Sequence, residues 1–576
     1  FMSARKLTWI HSVFRKDSQP GIQFSLHPAV LLGLLVAGYA TVLALRQPEW
    51  WLGGAMWAEM ATNYFPAAES NDWRVALFAT DAGYIPLPQR LIALAARLAK
   101  VRADLIPYVY SASALILTPL MVGVFALPRF RPLVGCDFTR LAVVLVVLGA
   151  ADLETRGFIN FTYFAVFFGA VVAALAMHPK AGLPPAWAWF LPVLMLSKPY
   201  VLTLLPLFAV GLIFARGRYR WVLGAGILAL LAQAVRVAAS ASAGVLSSYR
   251  TSPMSLFAKV EALLLYLGGT FGSFMAGSVM WVPLRLHVMV GVGAVALCLT
   301  VLLMLRARHG AAALMLAGLV IFGGTFAINV FALTSMWGLE PVNLRGPVLY
   351  RHNFSAFCGF LLIMAGIGQI AGDWLRDRFA LMSLRGSAVA LVFGVWWAAS
   401  GWAGPSFAFT KTPRFPMVGA SFWQQNALFI QQRGFPVCVP IDPFPWMFGR
   451  DCKSLTMVPK WTGVLALGTD AAPNLSIPVP PEVASAELRA FAVLINPVVP
   501  GLSHYRLQAR ITYGSDAVAR FVANGDMRTG TSLAYFIGSF PVRDVKSIEL
   551  ESDIPLSLLS NNMSGTNVPV VLWMGL

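Results

Sequence analysis

"PAVLLGLLVAGYATVLALR", residues 28–46, carries no charged side chain before Arg46. A helix rising 1.5 Å per residue needs roughly 20 apolar residues to cross a hydrocarbon core of about 30 Å, and this stretch meets that length. Comparable runs follow at 105–128, 140–152, 158–177, 186–197, 199–215, 221–240, 286–305, 311–333, 354–372 and 386–402, about eleven spans in all. Those at 140–152 and 186–197 are short, so each would stop below the far surface or pair with a neighbour. The expected fold is a polytopic α-helical membrane protein.

Composition agrees. The chain is 58% hydrophobic and 12% charged, about half the share typical of soluble proteins. Its net charge of +18 does not point to nucleic acid, because the cations fall in short clusters between apolar runs and form no single stripe. Residues 2–21, "MSARKLTWIHSVFRKDSQPG", are polar and basic and do not read as a cleavable signal. If the spans are as given, Arg5, Lys6, Arg15, Lys16, Arg129, Arg131, Arg140, Lys180, Arg216, Arg218, Arg220, Arg306, Arg308, Arg376, Arg378 and Arg385 share one side. By the positive-inside rule that side is cytoplasmic, with the N-terminus on it. An odd number of spans then leaves the C-terminal region outside the cytoplasm.

Residues 403–576 differ in kind. Short alternating runs ("LRAFAVLI", "YRLQARITYG", "ARFVANG", "TSLAYFIG", "SIELES", "VPVVLWMGL") separated by turn residues predict an all-β extracytoplasmic domain, a sandwich or jelly roll. The expected domains are therefore 1–402, membrane-embedded, and 403–576, β-rich. Cys136, Cys298 and Cys358 lie in or beside apolar segments and read as small core residues. Cys438 and Cys452 lie in the polar region, where an oxidising compartment would join them in a disulfide.

The first loop, 47–104, is long and rich in polar and aromatic residues. It holds Glu49, Glu59, Glu69, Asp72, Asp81, Arg90, Trp50, Trp51, Trp57, Trp73 and Tyr84. Within it, "YIPLPQRLIALAARLAKVRADL" reads as an interfacial helix, with Leu91, Leu94, Ala95 and Leu98 along the membrane and Arg90, Arg97 and Arg102 towards headgroups. Other outer loops carry cations that run against the positive-inside tendency: Arg156, Lys198, Arg250, Arg345 and Arg351. Lys198, in "LMLSKPYVLTLL", is the sharpest case. It either snorkels, pairs with Asp152 or Glu154, or joins other cations around an anionic headgroup such as a phosphate. A carboxylate beside a phosphate site suggests group transfer from a lipid-phosphate sugar, with Glu59 or Asp81 as base. Trp57, Trp73 and Tyr84 could offer sugar-stacking faces, although interfacial aromatics commonly just mark the membrane boundary.

The layout resembles the GT-C superfamily of integral-membrane glycosyltransferases. Several segments resemble a bacterial subgroup of it: "MWAEMATNYF", "AGYIPLPQRL", "DLETRGFINFTYF", "LSKPYVLTLLPL" and "YRHNF". In that subgroup a Glu-Asp-Gly stretch is expected where this chain has Glu59-Met60-Ala61, so the second acid is missing and both Glu59 and Asp81 stay as bases. The resemblance implies an inverting transferase that uses a polyprenyl-phosphate sugar at the periplasmic face of the inner membrane, with a lipid or envelope glycan acceptor such as lipopolysaccharide. It also implies phosphate contacts from Arg345, Arg351 and His352; Arg156 and Lys198 join that set on depth and charge. Tyr84, Arg90 and Trp57 are the expected substrate contacts, and the β-region would recognise the acceptor or cover the site. No cofactor is required. Asp152, Glu154, Glu59 and Asp81 could supply oxygen ligands to Mg²⁺ or Mn²⁺, but their spacing specifies no site, and the seven histidines have no zinc-like pairing. A flippase for a lipid-linked sugar is the alternative in another class, and an O-antigen polymerase or ligase a third reading. A structural envelope-assembly role, with the acids as caps and ion pairs, is a fourth.

Overall fold

The computed structural model describes residues 23–24, 26–57, 59–242, 255–280, 286–331, 351–378, 385–399, 514–515 and 517, together with Trp423 and the strand segments named below. Arg250, Arg345, Cys438 and Cys452 lie outside the described residues. The principal helices are α1 (Pro28–Arg46), α2 (Leu87–Leu98), α3 (Ile106–Gly123), α4 (Asp137–Ala150), α5 (Ala165–Ala176), α6 (Tyr219–Ser242), α7 (Leu256–Met280), α8 (Leu286–Arg306), α9 (His309–Phe331), α10 (Arg351–Arg378) and α11 (Arg385–Ala399). By length and hydropathy the chain is a multi-pass membrane protein.

The expectation of about eleven spans is met in part. Among the described residues seven helices are long and apolar enough to cross a membrane: Pro28–Arg46, Ala103–Ala126, Tyr219–Ala241, Leu256–Gly277, His287–Arg306, His309–Phe331 and Arg351–Trp374. Residues 186–197 and 199–215, read as two spans, form one pair, Ala186–Met195 and Pro199–Phe214, bent by 117°. Pro199 supplies the physical reason: it holds Lys198 in extended backbone (φ −65°, ψ 146°) and so ends the helical path. The runs at 140–152, 158–177 and 386–402 give shorter helices. Conversely α7 escaped the sequence reading, because Lys259, Glu261 and its Gly and Ser residues make it the least apolar of the seven.

The chain divides into two compact units. The first comprises residues 1–47, 80–89 and 112–410; the second comprises 48–79, 90–111 and 411–576.

In the first unit α9 and α10 form the centre, and the span in α10 is 72% buried against 17% for α1. They pack closely because Gly318 faces Gly359: a Cβ added to either would stand 2.5 or 2.6 Å from the other's carbonyl oxygen. Phe271, Phe274, Phe322, Phe357 and Phe360 fill the space where α7 joins them, edge to face. One end of these helices gathers basic loops. There the Gly135 amide donates to Gln369 (2.9 Å), Arg308 pairs with Asp373 (3.4 Å), and the rings of His178 and His309 lie 5.4 Å apart. At the same end Asp137, at the start of α4, is held by Arg131 (2.7 Å), by Arg140 and by the Phe24 amide (2.6 Å). Burial pushes the Asp137 carboxyl up, but those three partners outweigh it and hold the group below the usual carboxylate range.

In the second unit β1 (Met56–Trp57) pairs antiparallel with β2 (Met417–Val418). Trp423 is buried, packs edge to face on Phe65 (5.1 Å) and donates its indole N–H to the Ala103 carbonyl (2.8 Å). Two further short strands, β3 (Val439–Pro440) and β4 (Met447–Phe448), pair with each other. The remaining strands are β5 (Met457–Gly463), β6 (Asn474–Ile477), β7 (Leu488–Leu494), β8 (His504–Tyr513), β9 (Val518–Asp526), β10 (Leu533–Ile537), β11 (Val545–Ser552) and β12 (Val570–Gly575). They pair antiparallel in the orders β10-β7-β12-β5 and β6-β11-β8-β9. On β8, Leu507, Ala509 and Ile511 are buried at every second position, which is the period of a strand with one covered face.

Candidate functional site

The tetrapeptide Asp81-Ala82-Gly83-Tyr84 is a tight turn in which Asp81 and Tyr84 exchange both backbone hydrogen bonds, at 2.9 and 3.0 Å. Both central residues have positive φ, 42° at Ala82 and 85° at Gly83. Glycine adopts this backbone freely; alanine is strained there. The turn sets Asp81 and Tyr84 opposite each other, so the Tyr84 hydroxyl donates to Asp81 Oδ2 at 2.8 Å. Several anchors fix the segment in the first unit. Ser240 on α6 donates to the Gly83 carbonyl (3.0 Å), Gln233 on α6 accepts from the Ile85 amide (3.2 Å), and the Leu87 amide donates to the Leu196 carbonyl (2.8 Å). Gln89, fully buried, donates to the Ile159 carbonyl (3.0 Å) and to Thr162 (3.1 Å).

Lys198 comes to this turn from the bend of the broken pair. Ser197 is tied down on both sides, its hydroxyl donating to the Leu194 carbonyl (2.6 Å) and its own carbonyl accepting from Gln233. The irregular backbone at the bend is thus buried and its polar groups satisfied within the protein. The Lys198 ammonium donates to the Tyr84 hydroxyl and stands 4.7 Å from the Tyr84 ring centroid and 6.0 Å from that of Tyr163. Asp81, Tyr84 and Lys198 are all buried.

Aromatic rings continue the line. Tyr163 lies 5.4 Å from Tyr200, and the Tyr200 hydroxyl bonds to Asn329 Oδ1 on α9 and lies 2.7 Å from His352 Nδ1 on α10. Asn329 turns its amide N–H to the His352 carbonyl (3.3 Å), which places Oδ1 on the tyrosine side. Arg351 donates from Nε to His352 Nε2 (3.2 Å) and forms an ion pair with Glu154. The expected residues Asp81, Tyr84, Lys198, Arg351 and His352 thus share one connected network. Sequence reading missed Tyr163, Tyr200 and Asn329 as members. A signal existed for Asn329, a polar side chain in the apolar run "TFAINVF".

The other expected residues are placed differently. Arg156 is buried and donates to the Leu148 and Gly149 carbonyls (3.3 and 2.8 Å), so its guanidinium sits on the C-terminal carbonyls of α4, where a cation complements the helix dipole. Asp152 caps the short turn carrying it, accepting from the Thr155 amide at 2.8 Å.

In the second unit Glu59 is half-buried and immediately precedes a π-helical turn, Met60–Tyr64. Arg90, expected to face headgroups or substrate, is fully buried and holds this region together. It donates to the Asn63 carbonyl (2.8 Å), to the Asn63 side chain and to the Ala79 carbonyl (3.0 and 3.2 Å), and it covers the Tyr64 ring at 5.3 Å. Arg97 likewise turns inward to the Ala68 and Ser70 carbonyls, and Arg102 pairs with Asp104 at 2.9 Å. Leu91 and Leu98 remain on the exposed face of α2. Trp57 is stacked on Trp50 with centroids 3.8 Å apart; Trp73 stays 60% exposed. Among the described residues no three His, Cys, Asp or Glu side chains group as a metal site. Compared with known proteins, the chain matches no protein-family model and no curated sequence.

Proposed function

We propose that the protein is an inverting glycosyltransferase of the GT-C type. It moves a sugar from a polyprenyl-phosphate donor to an envelope glycan or lipid acceptor at the periplasmic face of a bacterial inner membrane. The observation that carries this reading is the buried Asp81 carboxylate, bonded through one phenol to the buried Lys198 ammonium at the bend of a broken helix pair. Transfer requires a base for the acceptor hydroxyl and a cation for the departing phosphate, and here the two stand side by side in a poorly hydrated setting. Asp81 takes the acceptor proton as the acceptor oxygen bonds to the anomeric carbon. The bond from that carbon to the phosphate oxygen breaks, and its electron pair leaves with the polyprenyl phosphate. Lys198 and Arg351 offset the phosphate charge, with Arg345 belonging to the same set. In this reading the N-terminus is cytoplasmic, and residues 403–576 form a periplasmic β-sandwich that reads the acceptor. The chemistry needs no cofactor, and Mg²⁺ or Mn²⁺ would assist only by neutralising phosphate.

A flippase for the same lipid is the second reading, favoured by the bent helix pair, since broken helices also build transporter sites. One reconstituted assay separates them. Loss of sugar from a panel of polyprenyl-phosphate donors is followed for wild type, Asp81→Asn and Glu59→Gln. The transferase reading requires donor consumption by wild type and its loss, with donor binding kept, in Asp81→Asn. Loss only in Glu59→Gln moves the base to Glu59. Labelled lipid crossing the bilayer without sugar release establishes the flippase.

A further inference from the structure

Tyr84 was expected as a substrate contact, yet its hydroxyl is committed on both sides, accepting from Lys198 and donating to Asp81. Its ring lies beneath the Lys198 ammonium, and all three side chains are buried. At rest this line of donors and acceptors runs from ammonium through phenol to carboxylate, and it reverses once the carboxyl is protonated and the amine neutral. Its ends are the two groups whose protonation changes during the transfer proposed above. After one turnover Asp81 holds the acceptor's proton, and the leaving lipid phosphate, a stronger base than the Asp81 carboxylate, takes up a proton from Lys198 as that of Asp81 moves along the line.

Building on that reading, we propose that Tyr84 is a positioning residue that relays a proton and resets the site. Its phenol takes the proton from the Asp81 carboxyl while handing its own to the neutral Lys198 amine. The balance closes. One proton leaves the acceptor hydroxyl and one arrives on the polyprenyl phosphate, while Asp81 returns to carboxylate, Lys198 to ammonium and Tyr84 to phenol. No oxidant or further reactant enters. The strained Ala82 backbone serves the same geometry, since the positive-φ turn is what sets the hydroxyl against the carboxylate.

The test uses the full chain in proteoliposomes with the polyprenyl-phosphate sugar that wild type consumes. Tyr84→Phe should lower kcat about 10–100-fold with little change in donor KM. Its turnover should then rise with the concentration of a small buffer at constant ionic strength, because the buffer must discharge Asp81 once the relay is cut. Wild type should show no such dependence. Lys198→Arg gives an independent check: guanidinium keeps the positive charge for phosphate but does not release a proton. It should retain donor KM, lose kcat and show the same buffer dependence. A Tyr84→Phe enzyme as active as wild type, or slowed without buffer rescue, overturns the relay and leaves the transferase reading standing. If wild type consumes no donor, the transferase reading falls and the relay with it.

Discussion

The two ends of the first unit hold the same kinds of charged residue and use them in opposite ways. At the basic-loop end, Asp137 is enclosed by Arg131, Arg140 and the Phe24 amide, and Asp373 meets Arg308. Each carboxylate there has a guanidinium as its direct partner. At the other end, the Asp81 carboxylate bonds to a phenol that also accepts from Lys198, and Arg351 is shared between Glu154 and a histidine. Direct pairing locks a charge and makes it structural. At the second end a hydroxyl stands between ammonium and carboxylate, a geometry that can pass a proton.

Breaking the first arrangement should cost the most stability. Asp137→Asn leaves the buried Arg140 guanidinium without its counter-ion and should destabilise the protein by about 3–5 kcal/mol, read as a lowered unfolding temperature in detergent. Because the folded carboxyl is held below its unfolded value, its contribution is fully present above about pH 4. It is lost as pH falls through the folded value. Wild type should therefore lose stability on acidification below that range, and Asp137→Asn should lose less over the same interval.

Breaking the second arrangement should change turnover and leave stability nearly intact. Asp81→Asn should lower kcat about 10²–10⁴-fold while the unfolding temperature shifts little, since the amide still accepts from Tyr84. If instead Asp81→Asn unfolds the protein as readily as Asp137→Asn does, the contrast between the two ends fails.

Arg90 sharpens the contrast from the second unit, because it combines the structural manner with a place in the first loop. Arg90→Lys keeps the charge but loses the fork that joins Asn63 to Ala79, and should cost about 1–3 kcal/mol with donor KM unchanged. A raised KM without destabilisation would make Arg90 a substrate contact. The smallest effect is at Ala82. Ala82→Gly removes the strain of φ 42° and should stabilise the turn by up to about 1 kcal/mol, with any loss of activity reporting looser placement of the Tyr84 hydroxyl.

Much of the candidate site is legible in the amino-acid sequence. Asp81, Tyr84 and Lys198 stand out there because polar groups beside apolar runs need a reason, and they meet as buried partners. Arg90 and Arg156 stand out by the same logic yet serve backbone carbonyls, because nothing in a sequence says whether a buried guanidinium faces a ligand or a loop. Tyr200 and Tyr163 carry no signal, as tyrosines are common at membrane boundaries. The missed α7 and the runs that give short or bent helices have one cause: hydropathy measures a helix's composition and cannot register where Pro199 bends it or whether a short helix reaches both surfaces.

Membrane residence, the clustering of cations between apolar runs and the strand-like alternation after residue 403 are all readable along the chain. Those properties are local sums over neighbouring residues, so a linear reading recovers them. Which polar residues are partners depends on the packed fold. Asp81 meets Lys198 across more than a hundred positions, and His352 meets Tyr200 across a similar interval, through bends and glycine crossings whose geometry depends on every helix packed around them.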